Sequence, residues 1–163
     1  MIDPAHLRSL ASALLYRCRS QRLMIATAES CTGGLIIGCL TEIAGSSDVV
    51  DRGFVTYSNA AKTELLGVAA GSIAANGSVS EAVARAMAQG AIARSNAHLA
   101  VGVTGVAGPG GGTPSKPVGL VHLACARRGG STLHERQVFT GDREAVRLAT
   151  VEAALALLNR ALD

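Results

Sequence analysis

The chain has 163 residues and a formal net charge of +3, and 17% of it is charged against 48% hydrophobic. Those proportions exclude a disordered chain, and the length predicts one domain over residues 1–163. Aromatics are confined to Tyr16, Phe54, Tyr57 and Phe139, which removes the stacking platform of a single-strand nucleic-acid binder and leaves an aliphatic, alanine-rich core.

In chain order, residues 4–19 carry Leu7, Leu10, Leu14 and Leu15 at helical spacing. A short buried strand is predicted at 23–27, then a helix at 32–43 ended by Gly45-Ser46-Ser47. Residues 52–57 alternate as a strand, and 60–66 form a short helix stopped by Gly67. Ser78-Val79-Ser80-Glu81 fits a capping box, with an alanine-rich helix continuing over 82–95. A strand at 99–103 runs into the glycine-rich segment TGVAGPGGGTPSKPVG, residues 104–119. Strands at 120–126 and 133–139 make a hairpin, and Asp142 caps a last helix that runs to about 162. The order α-β-α-β-α-α-β-β-β-α predicts an α/β fold, a mixed sheet with helices packed on it. Small side chains on more than one face of the 82–95 helix permit close helix approach, so a homo-oligomer, dimer or higher, is expected.

Several function classes are set aside. No apolar run approaches the ~20 residues of a membrane span. Asp3, Arg8, Arg17 and Arg19 spoil a signal peptide, so a cytoplasmic protein is expected, without membrane or nucleic-acid partners. Cys18, Cys31, Cys39 and Cys125 have neither CxxC spacing nor a zinc-like pattern with the histidines. They read as buried thiols, and no metal or cofactor is expected. Of 15 lysines and arginines only Lys62 and Lys116 are lysine. Arginine cannot lose its proton in a protein, whereas a lysine can.

Three stretches can carry chemistry. In TAESCTGG, residues 27–34, a strand ends and a helix begins, so Ser30 lies at the carboxyl edge of the sheet, where open α/β sheets bind ligands. The amides of residues 31–34, with Thr32, Gly33 and Gly34, are then helix-start donors able to stabilise an oxyanion. The plainer reading makes Ser30 or Thr32 an N-cap. A serine needs a base, and His6, His98, His122 and His134 lie in a helix, before a strand or within strands, with no conspicuous polar companion. VTYSNAAK instead puts Tyr57 at a strand end and Lys62 at a helix start. A desolvated lysine takes a serine proton, and Tyr57 hydrogen-bonds the serine or orients the lysine. The alternative is a snorkelling surface lysine. Tyr57 and Glu29 stand next in line as base. The glycine-rich segment, with Thr104, Gly105, Gly108, Gly110 and Gly111, offers an anion nest, and Arg143 in GDREAVR adds a charged contact to phosphate. A flexible surface loop and a solvated arginine are the alternative.

TAESCTGG, GFVTYSNAAKTELLGV, VSEAVARAMAQGA, AVGVTGVAGPGGGTPSKPVG and GDR occur in the order seen in the CinA C-terminal domain family, and from about residue 5 to 160 the chain resembles it. The resemblance is to its stand-alone nicotinamide-nucleotide amidases (PncC-like). It implies a three-layer α/β/α sandwich and hydrolysis of nicotinamide mononucleotide to nicotinate mononucleotide and ammonia, a step of pyridine nucleotide salvage. It also implies Ser30 as nucleophile and Lys62 as base. Departures from the family pattern are Ala60 after the YSN triplet, Ser115 in Thr113-Pro114-Ser115-Lys116-Pro117, and Gly77-Ser78-Val79-Ser80-Glu81. A nucleotide-binding regulatory module without turnover is the rival reading, and a transferase on the same scaffold a third.

Overall fold

The computed structural model describes residues 2–163. Its elements are α1 (Pro4–Gln21), β1 (Ile25–Glu29), α2 (Leu35–Thr41), β2 (Val50–Val55), α3 (Asn59–Leu66), α4 (Ala70–Asn76), α5 (Glu81–Ala93), β3 (Leu99–Gly105), β4 (Leu120–Arg127), β5 (Thr132–Val138) and α6 (Arg143–Arg160). The strands form one sheet in the order β2-β1-β3-β4-β5. β1 pairs parallel with β2 and β3, whereas β3–β4 and β4–β5 are antiparallel. The sheet is mixed and lies between two helical layers, the sandwich that the resemblance implies.

The two faces of the sheet differ in bulk. Side chains alternate along a strand, so Ile25, Leu99, Val101, Val103, Val121 and Leu123 share one core with α1, α2 and α6. Ala26, Ala28 and Ala100 face the other way, toward α3, α4 and α5. That small-residue face lets α5 settle close. A Cβ at Gly102 would lie 2.8 Å from both the Ala84 carbonyl oxygen and the Ala88 amide nitrogen. The small residues of α5, from which self-association is expected, thus have an internal use: Ala84, Ala88, Gly90 and Ala91 are all buried. On its other flank α5 meets α3, and a Cβ at Gly90 would lie 2.0 Å from the Leu66 carbonyl oxygen.

Side chains cap four of the helices. Asp3, Ser58, Ser80 and Asp142 accept from the amides of Ala5, Ala61, Val83 and Ala145 at the starts of α1, α3, α5 and α6. The expected capping box at Ser78 is therefore displaced: Ser80 is the cap, and its hydroxyl also donates to the Gly77 carbonyl. β1 and β2 each sit about two residues from their expected places, at Ile25–Glu29 and Val50–Val55, and β3 extends to Gly105. α2 starts at Leu35 rather than Thr32, because Gly33 and Gly34 both take positive φ, 59° and 102°. α4 escapes sequence reading altogether. It is seven residues long, with one buried apolar side chain, Ile73, and no side-chain cap. Among the described residues no helix is long and apolar enough to cross a membrane.

Gly90→Ala should destabilise the protein by about 1–3 kcal/mol, because a methyl group there drives α5 from α3. The check is a lower denaturant midpoint with an unchanged slope. An unchanged midpoint would show that the helices part freely.

Candidate active site

β1 lies between β2 and β3, so the chain leaves β1 to one side and later returns to pair on the other. The connection through α2 covers one face and that through α3, α4 and α5 the other. Such a switch point opens a crevice outside the carboxyl end of the strand. Ser30 is the first residue beyond β1. Its N–H donates to the Val103 carbonyl at 3.1 Å, and Thr56 N–H donates to the Glu29 carbonyl at 2.9 Å. The ends of three strands are thereby locked together around the serine.

Lys62 reaches this point from the first turns of α3. It is 1% exposed, and its Nζ donates to Ser30 Oγ at 2.9 Å, to the Thr56 carbonyl at 2.9 Å and to the Tyr57 carbonyl at 3.3 Å. Among the described residues no carboxylate pairs with it. Desolvation therefore holds its pKa below the ordinary 10.5, opposed by the smaller influence of the Cys31 thiol. The three contacts match an ammonium with three donors. When the amine is neutral, two N–H bonds stay on the carbonyls and the lone pair faces Ser30 Oγ, ready to accept its proton. The snorkelling alternative for Lys62 is excluded.

Tyr57 holds the lysine through its carbonyl rather than its ring. The ring is 63% exposed, and its hydroxyl accepts from Arg143 Nη2 at 3.0 Å. Arg143 Nη1 also donates to the Gly108 carbonyl at 2.8 Å. The cavity between them has a volume of about 180 Å³ and is lined by Ser30, Tyr57, Lys62, Ser78, Thr104 and Arg143, among others. Thr104 donates to the Ser78 carbonyl at 2.8 Å, and Gly105 also lines the wall. Gly110 and Gly111 are exposed and do not line this cavity, so the glycine-rich segment contributes its first residues and the Gly108 carbonyl.

The helix-start donors are arranged differently from expectation. The buried Glu29 carboxylate accepts from Ile36 N at 2.8 Å, Ile37 N at 3.0 Å, Thr32 Oγ1 at 2.7 Å and Thr27 Oγ1 at 3.2 Å. The protein's own anion thus satisfies the start of α2, and Glu29 is committed there rather than to Ser30 as a base. Gly33 N–H donates to the Ser30 carbonyl at 3.1 Å and is also taken. Among the described residues the Cys31, Thr32 and Gly34 amides donate to no oxygen, and the first two, next to Ser30 in the chain, are free to receive an oxyanion. Sequence reasoning missed the residue that sets the Thr32 amide. Arg147 Nε donates to the Cys31 carbonyl and Nη2 to the Thr32 carbonyl, each at 3.1 Å. In a trans peptide, a carbonyl pulled toward Arg147 turns the following N–H the opposite way. The signal available was a second arginine one helical turn after Arg143.

Cys31 lines the same cavity, but burial pushes its thiol up to about 11, so it stays protonated. The expectation that the histidines have no polar companion fails: His6 Nε2 lies 2.8 Å from Glu152 Oε1, Met24 N–H donates to His98 Nδ1 at 2.9 Å, and His122 Nδ1 lies 2.9 Å from His134 Nε2. None of these histidines lines the Ser30 cavity. Among the described residues no three His, Cys, Asp or Glu side chains cluster to hold a metal.

Fold and site together define an α/β protein carrying a hydroxyl and an uncompensated amine in contact at the carboxyl edge of a mixed sheet. The chain belongs to the CinA C-terminal domain family, whose pattern it matches over residues 7–162. The protein of Enterobacter agglomerans named nicotinamide-nucleotide amidohydrolase PncC is 53% identical over 85% of this chain and 82% of its own length. A CinA-like protein of Akkermansia muciniphila is 51% identical over 91% of this chain, which spans 36% of that longer relative. The crystal structure of competence/damage inducible protein CihA from Agrobacterium tumefaciens superposes with a TM-score of 0.95 at 52% identity, covering 99% of this chain and 98% of that one.

Burying Lys62 penalises its charged form, so the folded protein binds this proton more weakly than the unfolded chain. Stability is therefore lowered below the folded pKa and recovers as pH rises toward 10.5. Lys62→Met should be more stable than wild type at neutral pH, with the gap narrowing as pH is raised. Unfolding titrations at several pH values check this. A gap independent of pH would mean that the amine is well solvated.

Proposed function

We propose that the chain hydrolyses the carboxamide of nicotinamide mononucleotide, releasing ammonia and nicotinate mononucleotide, with Ser30 as nucleophile and Lys62 as its base. The observation that carries this reading is the 2.9 Å contact of Lys62 Nζ with Ser30 Oγ, made by an amine held between two carbonyls. The substrate class is supported by the name of the 53% identical relative. Neutral Lys62 takes the Ser30 proton as Oγ attacks the amide carbon. The charge that develops on the amide oxygen is received by the Cys31 and Thr32 amides. The Lys62 ammonium passes its proton to the amide nitrogen, the C–N bond breaks, and ammonia leaves an acyl-serine. Water, deprotonated by the neutral amine, then attacks the acyl carbon. The carboxylate departs as Ser30 regains its proton. Arg143, steadied by the Tyr57 hydroxyl and the Gly108 carbonyl, bounds the mouth and meets the part of the substrate beyond the ring.

Ammonia release from nicotinamide mononucleotide tests the reading. Ser30→Ala should abolish it in a folded protein, and Cys31→Ala should keep most of it. A dead cysteine variant beside an active serine variant would reverse the assignment, and tight binding without ammonia would favour the regulatory module.

Lys62→Arg and Lys62→Ala should each lower kcat/KM by at least ~10²-fold, because arginine keeps the charge but cannot act as a base. In the wild type, kcat/KM should rise with pH along one limb centred below 10.5. Retained activity in Lys62→Arg with an unchanged pH profile would limit Lys62 to electrostatic binding. Activity should also survive prolonged chelation, and a loss restored by a divalent ion would overturn this mechanism.

A further inference from the structure

A second, larger cavity of about 530 Å³ adjoins the Ser30 site, sharing Val79 as a wall. Its rim carries Arg85, Lys116 and Arg136 against one carboxylate, Glu81. Glu81 is already paired with Arg85, at 2.9 Å. Two cations are therefore left without a carboxylate among the described residues. Lys116 Nζ donates only to the Asn76 carbonyl, at 2.6 Å, and Arg136 makes no hydrogen bond or ion pair there. His122 stands beside them on the cavity wall. Burial, then His134 and Arg136, push it down to about 4, so at neutral pH its ring is uncharged.

The wall between the two cavities is the segment from Gly77 to Ser80. Ser78 and Val79 line the Ser30 cavity, and Val79 and Ser80 line the second. Lys116 is tied to the outer side of this wall through Asn76, against Gly77. The Ser30 cavity, at about 180 Å³, takes a planar ring and its amide but leaves the rest of a nucleotide outside it. Arg143, at the other rim, already has both terminal nitrogens bonded within the protein.

We infer that the second cavity is an anion subsite, in which Lys116 and Arg136 hold the phosphate monoester of a substrate whose amide lies at Ser30. This rests on the amidase reading for the identity of the substrate, while the capture of phosphate by the cavity is independent of it. A compact ammonium and a forked guanidinium, both short of acceptors, are the donors that a phosphate dianion engages through charge-assisted hydrogen bonds.

Two measurements on the full chain test the inference. In the first, inorganic phosphate is titrated into wild type, Lys116→Gln and Arg136→Gln by calorimetry. In the second, KM is compared for nicotinamide mononucleotide and for its dephosphorylated riboside. Each variant should weaken phosphate binding and raise KM for the nucleotide by roughly tenfold or more, with the riboside changed by less than about twofold. Phosphate binding that is equal in wild type and variants, or absent from both, overturns the subsite, as does an equal rise in KM for both substrates. Weakened phosphate binding with unchanged KM for the nucleotide assigns the cavity to a separate phosphorylated molecule and overturns its role as substrate subsite. If the wild type releases no ammonia from either amide yet loses phosphate binding in both variants, the amidase reading fails and the anion site stands.

Discussion

Among the described residues Lys62 heads the fully enclosed side chains by size, and no carboxylate pairs with it. Enclosing an amine costs free energy unless it is neutral or generously hydrogen-bonded. Here the compensation is geometric: two carbonyls from the turn after β2 and the hydroxyl after β1 converge on one nitrogen. That convergence requires the ends of β1 and β2 to stay in register, which the Thr56-to-Glu29 hydrogen bond enforces, while the Ser30-to-Val103 bond ties the same end to β3. It also requires α3 to keep a fixed height above the sheet. The ladder, the turn and the helix therefore all bear on a single contact.

The height of α3 is decided on the small-residue face. Alanines and Gly102 let α5 lie against β3, and Gly90 lets α3 lie against α5 at the Leu66 carbonyl. Leu66 is one helical turn beyond Lys62. The opposite face is built from larger aliphatics and carries α6, which brings Arg143 to the cavity and Arg147 to the carbonyls just after Ser30 from the far end of the chain. One layer thus positions the amine, and the other positions the groups around the serine.

Much of this was legible in the sequence because it is written locally. Ser30 follows an apolar strand and precedes two glycines, and Lys62 follows Tyr57 and a capping serine, so both fall at the same sheet edge from pattern alone. What was not legible depends on reach. Glu29 caps a helix start seven residues ahead of itself, which no Ncap rule describes. Arg147 acts on carbonyls more than a hundred residues away in sequence. His122 and His134 meet diagonally across a hairpin, a contact fixed by register rather than composition. The glycine-rich segment misled in the other direction: its glycines suggested a continuous cradle, but the fold brings only its beginning to the cavity.

The buried Glu29 carboxylate also bears on how the site lets go. An exposed helix start is a resting place for anions. Here that place is filled from within, beside the serine, by a charge that cannot leave. In the proposed hydrolysis, a carboxylate formed at Ser30 finds no vacant helix terminus to settle on and meets a like charge one residue away. The neighbouring amides can shelter an oxyanion for the lifetime of an intermediate, yet the surroundings disfavour a lasting negative group. On that reading the carboxylate that caps α2 also aids product release.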